Sequence, residues 1–297
     1  MDPKLSLYEA MVTTLLLIDV QKDFHPGGSL GIPSASEDAE RIAKLIATHG
    51  SKIDRIVATL DSHHKLHIAH SCFWFDGLGQ HPAPFTIIST ADLEAGKWKP
   101  RSDLRWDQYP LDAVVFAGAQ ELMKGDGTLN LDKYVLEYSK RLEAKGRFQI
   151  CIWPEHCLIA TNGQATVDVV RDAVDNWSNL TGGTVEFIMK GQHLLTEMYS
   201  ALEADVPVSQ ETAFNENLLQ SLLKADKLLV CGQALSHCVN YTLRDVVSHW
   251  PKEGLGKIVL LTDCASSVPG FEVAADQCKI DMEKAGIQLK KAEEIFS

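Results

Sequence analysis

The sequence predicts an α/β fold in which helices cover both faces of a parallel sheet. Short, continuous apolar runs such as TTLLLIDV and KIVLLT recur along the chain, with amphipathic helical segments between them. A strand that is apolar on both sides is buried on both, and sheets of that kind are built from β-α-β crossovers. A third observation is chemical. Acids, histidines, a lysine and a cysteine stand at or just after the ends of these runs, and in parallel sheets ligands bind beyond the carboxyl ends of the strands.

The elements follow in order. Thr13 to Val20 is the first strand, nearly all apolar, with Asp19 near its end. Glu37 to His49 reads as a helix with Ala39, Ile42, Ala43 and Ile46 on one face. Arg55 to Leu60 is a second strand, followed by Asp61 and His63. From Asp76 to Gly146 the alternation loosens into a segment rich in Pro, Trp and charge. Within it, Leu131 to Leu142 reads as a helix whose stripe is Leu131, Tyr134, Val135, Tyr138 and Leu142. Connections this long are usually functional or disordered, and the aromatic residues argue against disorder. The 76–146 segment is therefore expected to be a lid, a specificity element or an oligomer contact, inserted into a single domain spanning 1–297. Four more strands are expected: Phe148 to Trp153, Thr184 to Met189, Lys227 to Cys231 and Lys257 to Thr262. Gly232 breaks the third of these. A helix then begins at Cys238, with Val239, Leu243, Val246 and Val247 apolar, and Val273 to Ala285 closes the series as a helix.

Composition narrows the function. The formal charge of −12 argues against nucleic-acid and anionic-membrane partners and leaves a small molecule. No apolar run is long enough to span a bilayer. The N-terminal stretch has no basic segment ahead of a long apolar one, so no secretory leader is expected. Seven irregularly spaced cysteines do not form a disulfide framework, which makes a reducing cytoplasm the expected compartment. The acidic charge and apolar helices are compatible with a homo-oligomer.

Three constellations carry chemistry, and each has a plainer reading. Cys238 stands at a helix N-terminus, where the macrodipole favours the nucleophilic thiolate; otherwise it is a small buried hydrophobe. Asp19 can act as its base and Lys190 can stabilise the charges; otherwise the two form a structural ion pair. The N–H groups of Ala234 and Cys238 can form an oxyanion hole; otherwise the turn is an ordinary strand-to-helix connection. Asp61 and His63, two apart on an extended chain, face one side. With His156 they make a donor set suited to zinc, iron or manganese, with open coordination positions; otherwise they belong to a polar loop. His63, His64, His67 and His70 crowd one short stretch. Either His67 or His70 is a candidate further ligand or ligand support, and spacing leaves open which.

The stretches LLLIDVQKDFHPGGSL, ATLDSHHKLHIAH, WPEHC, MKG and VCGQALSHCV, in this order, resemble the isochorismatase-like cysteine hydrolases, and within them the nicotinamidase/pyrazinamidase branch. The resemblance implies a six-stranded doubly wound core and a catalytic triad of Asp19, Lys190 and Cys238. It implies Asp61, His63 and His156 as ligands of one divalent metal, zinc first, with iron or manganese as alternatives. Phe24 and Trp153 are implied as rings flanking the substrate, and the peptide between Gln233 and Ala234 as a non-proline cis bond. The metal ligands point to the nicotinamidase branch, because isochorismatases lack them. The 76–146 segment departs from the pattern by its length, and with it the substrate is left open. The implied reaction is hydrolysis of nicotinamide to nicotinate and ammonia through a thioester on Cys238. The alternatives are the same mechanism on a different amide, a metal-dependent hydrolase with Cys238 as a bystander, and a non-catalytic binding protein. The last is expected to lack at least one triad member.

Overall fold

The structure, a computed structural model, describes residues 11–109 and 111–296. Part of the N-terminal stretch that carries no leader pattern, residues 1–10, lies outside the described residues. The strands are β1 (Thr13–Ile18), β2 (Arg55–Asp61), β3 (Trp74–Phe75), β4 (Ile87–Ile88), β5 (Lys99–Pro100), β6 (Ile150–Cys151), β7 (Glu186–Lys190), β8 (Lys227–Gly232), β9 (Ile258–Leu261) and β10 (Gln288–Lys290). The helices are α1 (Ala35–His49), α2 (Thr90–Glu94), α3 (Leu131–Ala144), α4 (Asp168–Thr181), α5 (Glu216–Leu222), α6 (Cys238–His249) and α7 (Glu272–Ala285). Among the described residues no helix is long and apolar enough to cross a membrane.

Six strands form one sheet in the order β10-β9-β8-β1-β2-β7, and every pair in it is parallel. β1 lies inside the sheet with all of its residues buried, which is why its apolar run is continuous. Alternate residues serve opposite faces. Leu15 and Leu17 pack with Ile42 and Ile46 of α1 and Val174 and Trp177 of α4. Leu16 and Ile18 join Val239 and Leu243 of α6 and Met282 of α7. The chain leaves β1 toward β2 and β7 on one side and returns through β8 to β10 on the other. The crevice above β1 and β8 is therefore a topological switch point, where doubly wound sheets bind ligands.

The expected strand Phe148 to Trp153 is not part of this sheet. Its central residues form β6, which pairs antiparallel with β4. The sixth place goes to β10, at the opposite edge. The reason is visible in the side chains: Cys151 and Trp153 enter the main core, whereas Ile150 and Ile152 enter a separate one. A segment wedged between two cores is apolar on both sides without lying in a sheet interior. β10, short and half-exposed, carries no such run.

The separate core belongs largely to the long connection. Phe116, Leu122, Tyr134, Val135, Tyr138 and Leu142 pack with Phe73, Trp74, Leu194, Leu195, Val206 and Val208. Tyr134 Oη donates to the Leu195 carbonyl, and Tyr138 Oη accepts the Glu197 N–H at 3.1 Å. The connection thus buttresses the chain that follows β7. Trp74 is the largest fully buried side chain there, and its Nε1 donates to Ile68 O at 2.7 Å. Trp74→Ala is expected to destabilise the protein by about 3–5 kcal/mol. Urea denaturation should show one transition moved to lower urea with its slope unchanged. A separate early transition would mean that the connection folds independently.

Candidate active site

The site begins with two close backbone approaches. Gly232, the last residue of β8, has φ +119, and a Cβ there would lie 1.9 Å from Ile18 O. Only glycine lets β8 end so near β1, where Gln233 N–H donates to Ile18 O at 2.7 Å. The next peptide, Gln233–Ala234, is cis, as expected from the motifs. The chain then turns into α6 with Cys238 as its first residue. Gly191 makes the second approach. It has φ +76, and a Cβ there would lie 2.8 Å from His63 Cε1 and 2.9 Å from Asp61 Oδ1.

Asp19, Lys190 and Cys238 come together as expected. Lys190 Nζ lies 2.8 Å from Asp19 Oδ2, 3.1 Å from Asp61 Oδ1 and 3.4 Å from Cys238 Sγ. Its remaining contact is Met198 O at 3.2 Å. Asp19 is fully buried in a left-handed backbone conformation, φ 46. Thr59 fixes it twice: Oγ1 donates to Asp19 Oδ1 at 2.6 Å and accepts the Asp19 N–H at 3.1 Å. Among the described residues neither the Ala234 nor the Cys238 N–H is engaged by a protein acceptor.

Electrostatics separates the two acids. Burial raises the carboxyl of Asp19, and Lys190 only partly offsets this. Burial also works against the Asp61 charge, but His63 and Lys190 overcome it and hold that carboxyl well below the usual range. Lys190 stays cationic because Asp19 and Asp61 outweigh its desolvation. The helix position led to the expectation of a thiolate at Cys238. Instead, burial and the charges of Asp19 and Asp61 push the thiol well up, more than Lys190 lowers it. Cys238 is thus held as a thiol beside a carboxyl whose pKa is also raised. One group with a depressed pKa next to one with a raised pKa is how acid and base roles are divided.

Asp61, His63 and His156 also converge, with one ligand atom from each within 4.8 Å of the others. Asp61 Oδ2 lies 3.0 Å from His63 Nε2 and 3.2 Å from His156 Nε2. The Nδ1 atoms face backbone carbonyls, Gly191 O at 2.9 Å and Pro154 O at 2.8 Å, so each Nδ1 must donate. In their neutral forms both rings then aim a bare Nε2 lone pair at one carboxylate oxygen. Three acceptors converging on a point need a cation between them, so the donor set fits a divalent metal. Without one, the Asp61 charge overcomes burial and raises His63 to about 9.

The neighbouring histidines differ. His67 is saturated, with Nε2 on Thr196 O at 3.0 Å and Nδ1 accepting the Ala69 N–H at 3.2 Å. His70 donates from Nδ1 to Lys65 O at 3.0 Å, and its Nε2 has no partner among the described residues. Asp263, also at a strand end, stands apart and accepts the Ala292 N–H at 2.9 Å.

Cys238, Asp61 and His156 open onto one small cavity, lined by Phe24, Trp153, Tyr199, His237 and Glu197 among others. Phe24 and Trp153 were expected from the motifs. Glu197 and Tyr199 were not, because they lie in an aperiodic stretch. His237 adjoins Cys238 in sequence and so was within reach of the same reading. Thr59 was missed because only strand pairing brings it to Asp19.

No protein-family model matches this chain, and no curated protein matches it in sequence. Solved structures do. An Acinetobacter baumanii nicotinamidase/pyrazinamidase shares 18% identity at a TM-score of 0.60, over 97% of this chain and 100% of that one. The yeast nicotinamidase bound to the inhibitor nicotinaldehyde shares 19% at 0.60, over 94% and 100%. A Pyrococcus horikoshii pyrazinamidase in complex with zinc shares 19% at 0.51, over 94% and 98%. The fold of this chain is the isochorismatase-like fold. The nicotinamidase structures share it over nearly their whole length.

Burial holds two further histidines neutral, His193 lowered to about 4 and His237 to about 3, against an ordinary 6.5. At these two positions the unfolded chain binds more protons than the folded one between about pH 6.5 and pH 4, so each takes stability away as pH drops through that range. The slope is about 1.4 kcal/mol per pH unit for each histidine. Urea denaturation at pH 7 and pH 5 should show a smaller loss, or a larger gain, of stability on acidification in His237→Phe than in the wild type. The same change in both proteins would contradict it.

Proposed function

We propose that this chain is a metal-containing cysteine amidohydrolase that converts nicotinamide and water to nicotinate and ammonia. The observation that carries the reading is the position of Lys190, whose Nζ contacts the thiol, the Asp19 carboxylate and the Asp61 carboxylate at once. Cys238, Asp19 and Asp61 thereby meet around one cation, and Cys238, Asp61 and His156 line one cavity. The aromatic rings lining the cavity, Phe24, Trp153 and Tyr199, favour a planar ring bearing an amide. The yeast structure's nicotinaldehyde and the Pyrococcus structure's zinc support the same reading.

Asp19 receives the thiol proton as Cys238 Sγ bonds to the amide carbon. The N–H groups of Ala234 and Cys238 meet the oxygen on which negative charge develops. Lys190 stays cationic and balances the acids on either side of the proton transfer. Asp19 then gives its proton to the departing nitrogen. Ammonia leaves, and a thioester remains on Cys238. A water molecule loses a proton to Asp19 and attacks the thioester carbon. The carbon–sulfur bond breaks, the sulfur regains a proton, and nicotinate is released. Phe24 and Trp153 hold the ring between them, and Tyr199 and His237 complete the wall. A divalent metal, zinc first, would be held by Asp61, His63 and His156, where it supplies a Lewis-acidic anchor for the ring nitrogen. The 76–146 segment acts as a specificity element through α3, which supports the chain bearing Glu197 and Tyr199.

Purified, zinc-loaded protein is expected to release ammonia from nicotinamide, and Cys238→Ala to reduce release to background. Substantial release by Cys238→Ala would end the covalent reading. His63→Ala is expected to lower metal content and raise KM; unchanged zinc content would remove His63 from the ligand set.

A further inference from the structure

The turn leaving β1 does more than carry the base. Gln21, fully buried, grips the backbone of Asp61 from both sides: its Nε2 donates to Asp61 O at 2.7 Å, and its Oε1 accepts the Asp61 N–H at 2.8 Å. The same Nε2 donates to Gln164 O at 2.9 Å. Two residues on, Asp23 Oδ2 accepts the N–H of Cys157, the neighbour of His156, at 2.7 Å. That carboxylate is seated on Gly163, where a Cβ would lie 2.0 Å from Oδ2. Phe24 then meets the His156 ring edge-on, with centroids 5.5 Å apart. Neither Gln21 nor Asp23 has a part in the bond-making steps.

We propose that Gln21 and Asp23 are positioning residues of the metal centre, and that this one turn fixes the two chain segments that deliver Asp61 and His156. The inference rests on the reading of those residues as metal ligands. Asp61 ends β2 inside the main sheet, whereas His156 lies 95 residues further on, in a connection outside that sheet. Sheet register therefore does not place one against the other. The segments touch directly at His63, whose N–H donates to Cys157 O at 3.1 Å and whose O accepts the Ile159 N–H at 3.0 Å. They touch again where the Trp153 N–H donates to Ala69 O at 2.8 Å and Gln164 Nε2 donates to Ser62 Oγ at 2.8 Å. The turn adds the constraints nearest the two ligands, holding Asp61 through Gln21 and the Cys157 peptide through Asp23. Ligand atoms must be held to within about 0.5 Å for a productive site, and loss of an outer partner costs about 10–100-fold in metal affinity. Because Asp19 opens the same turn, the base and the metal centre keep a fixed separation.

The test measures the zinc dissociation constant by competition with a chromophoric chelator. Alkylation of Cys238 by iodoacetamide in metal-free protein reports separately on the triad. Gln21→Ala, Gln21→Glu and Asp23→Ala are expected to weaken zinc by about 10–100-fold. Gln21→Glu keeps the shape but turns the donor toward Asp61 O into an acceptor, so it serves if the alanine variant does not fold. Asp23→Asn keeps the acceptor oxygen and should stay close to wild type, with metal-free alkylation rates unchanged throughout. Zinc affinity that survives in Gln21→Glu and Asp23→Ala overturns the inference. So does a loss that Asp23→Asn shares in full, or one matched by an equal change in alkylation. Zinc binding that fails in the wild type, or persists in His63→Ala, instead overturns the ligand assignment on which the inference rests.

Discussion

One buried cation organises this site. Lys190 has almost no solvent contact, and burial alone would strip its charge; two carboxylates within hydrogen-bonding distance keep it. A buried charge is tolerable only when paired and hydrogen-bonded. Here the pairing is unequal. Asp61 shares its other oxygen with two histidines and remains firmly ionised, whereas Asp19 keeps a raised affinity for protons. Two chemically identical side chains on one lysine are thereby given different work. Asp61 faces His63 and His156, and Asp19 holds its proton more readily.

The sheet makes that arrangement possible. β1, β2, β7 and β8 are neighbours in the sheet, and all run parallel, so Asp19, Asp61, Lys190 and Cys238 emerge along one edge. Register refines this, with Asp61 directly paired with Lys190. The glycines at 191 and 232 then let backbone come close enough to order the side chains. Neither glycine reacts with anything. Each is needed because a side chain there would collide with β1 or with the His63 and Asp61 side chains.

The long connection adds a third core to the two that sandwich the sheet. It packs against the segment after β7, the same segment that sends Glu197 and Tyr199 into the cavity wall. The buried hydroxyls of Tyr134 and Tyr138 satisfy backbone groups of that wall, as buried polar groups must be satisfied. The connection is thus packed against the chain that forms the pocket wall.

The sequence by itself determined the fold class, five of the six sheet strands, the helix that starts at Cys238 and the residues at the strand ends. These depend on local composition: continuous apolar runs mark strands buried on two faces, and a glycine ahead of an amphipathic stretch marks the turn. Tertiary structure decided what depends on partners distant in the chain. It took Phe148 to Trp153 out of the sheet, because two cores, not two neighbouring strands, explain its apolar sides. It gave the last place to β10, whose half-exposed edge leaves no apolar signature. It engaged both nitrogens of His67 and left one of His70 open, a distinction set by which carbonyl each ring faces. It also decided the balance of effects on the Cys238 thiol. A helix dipole can be read from the position of Cys238, but the desolvation and the neighbouring carboxylates that outweigh it exist only once the chain has closed around the sulfur.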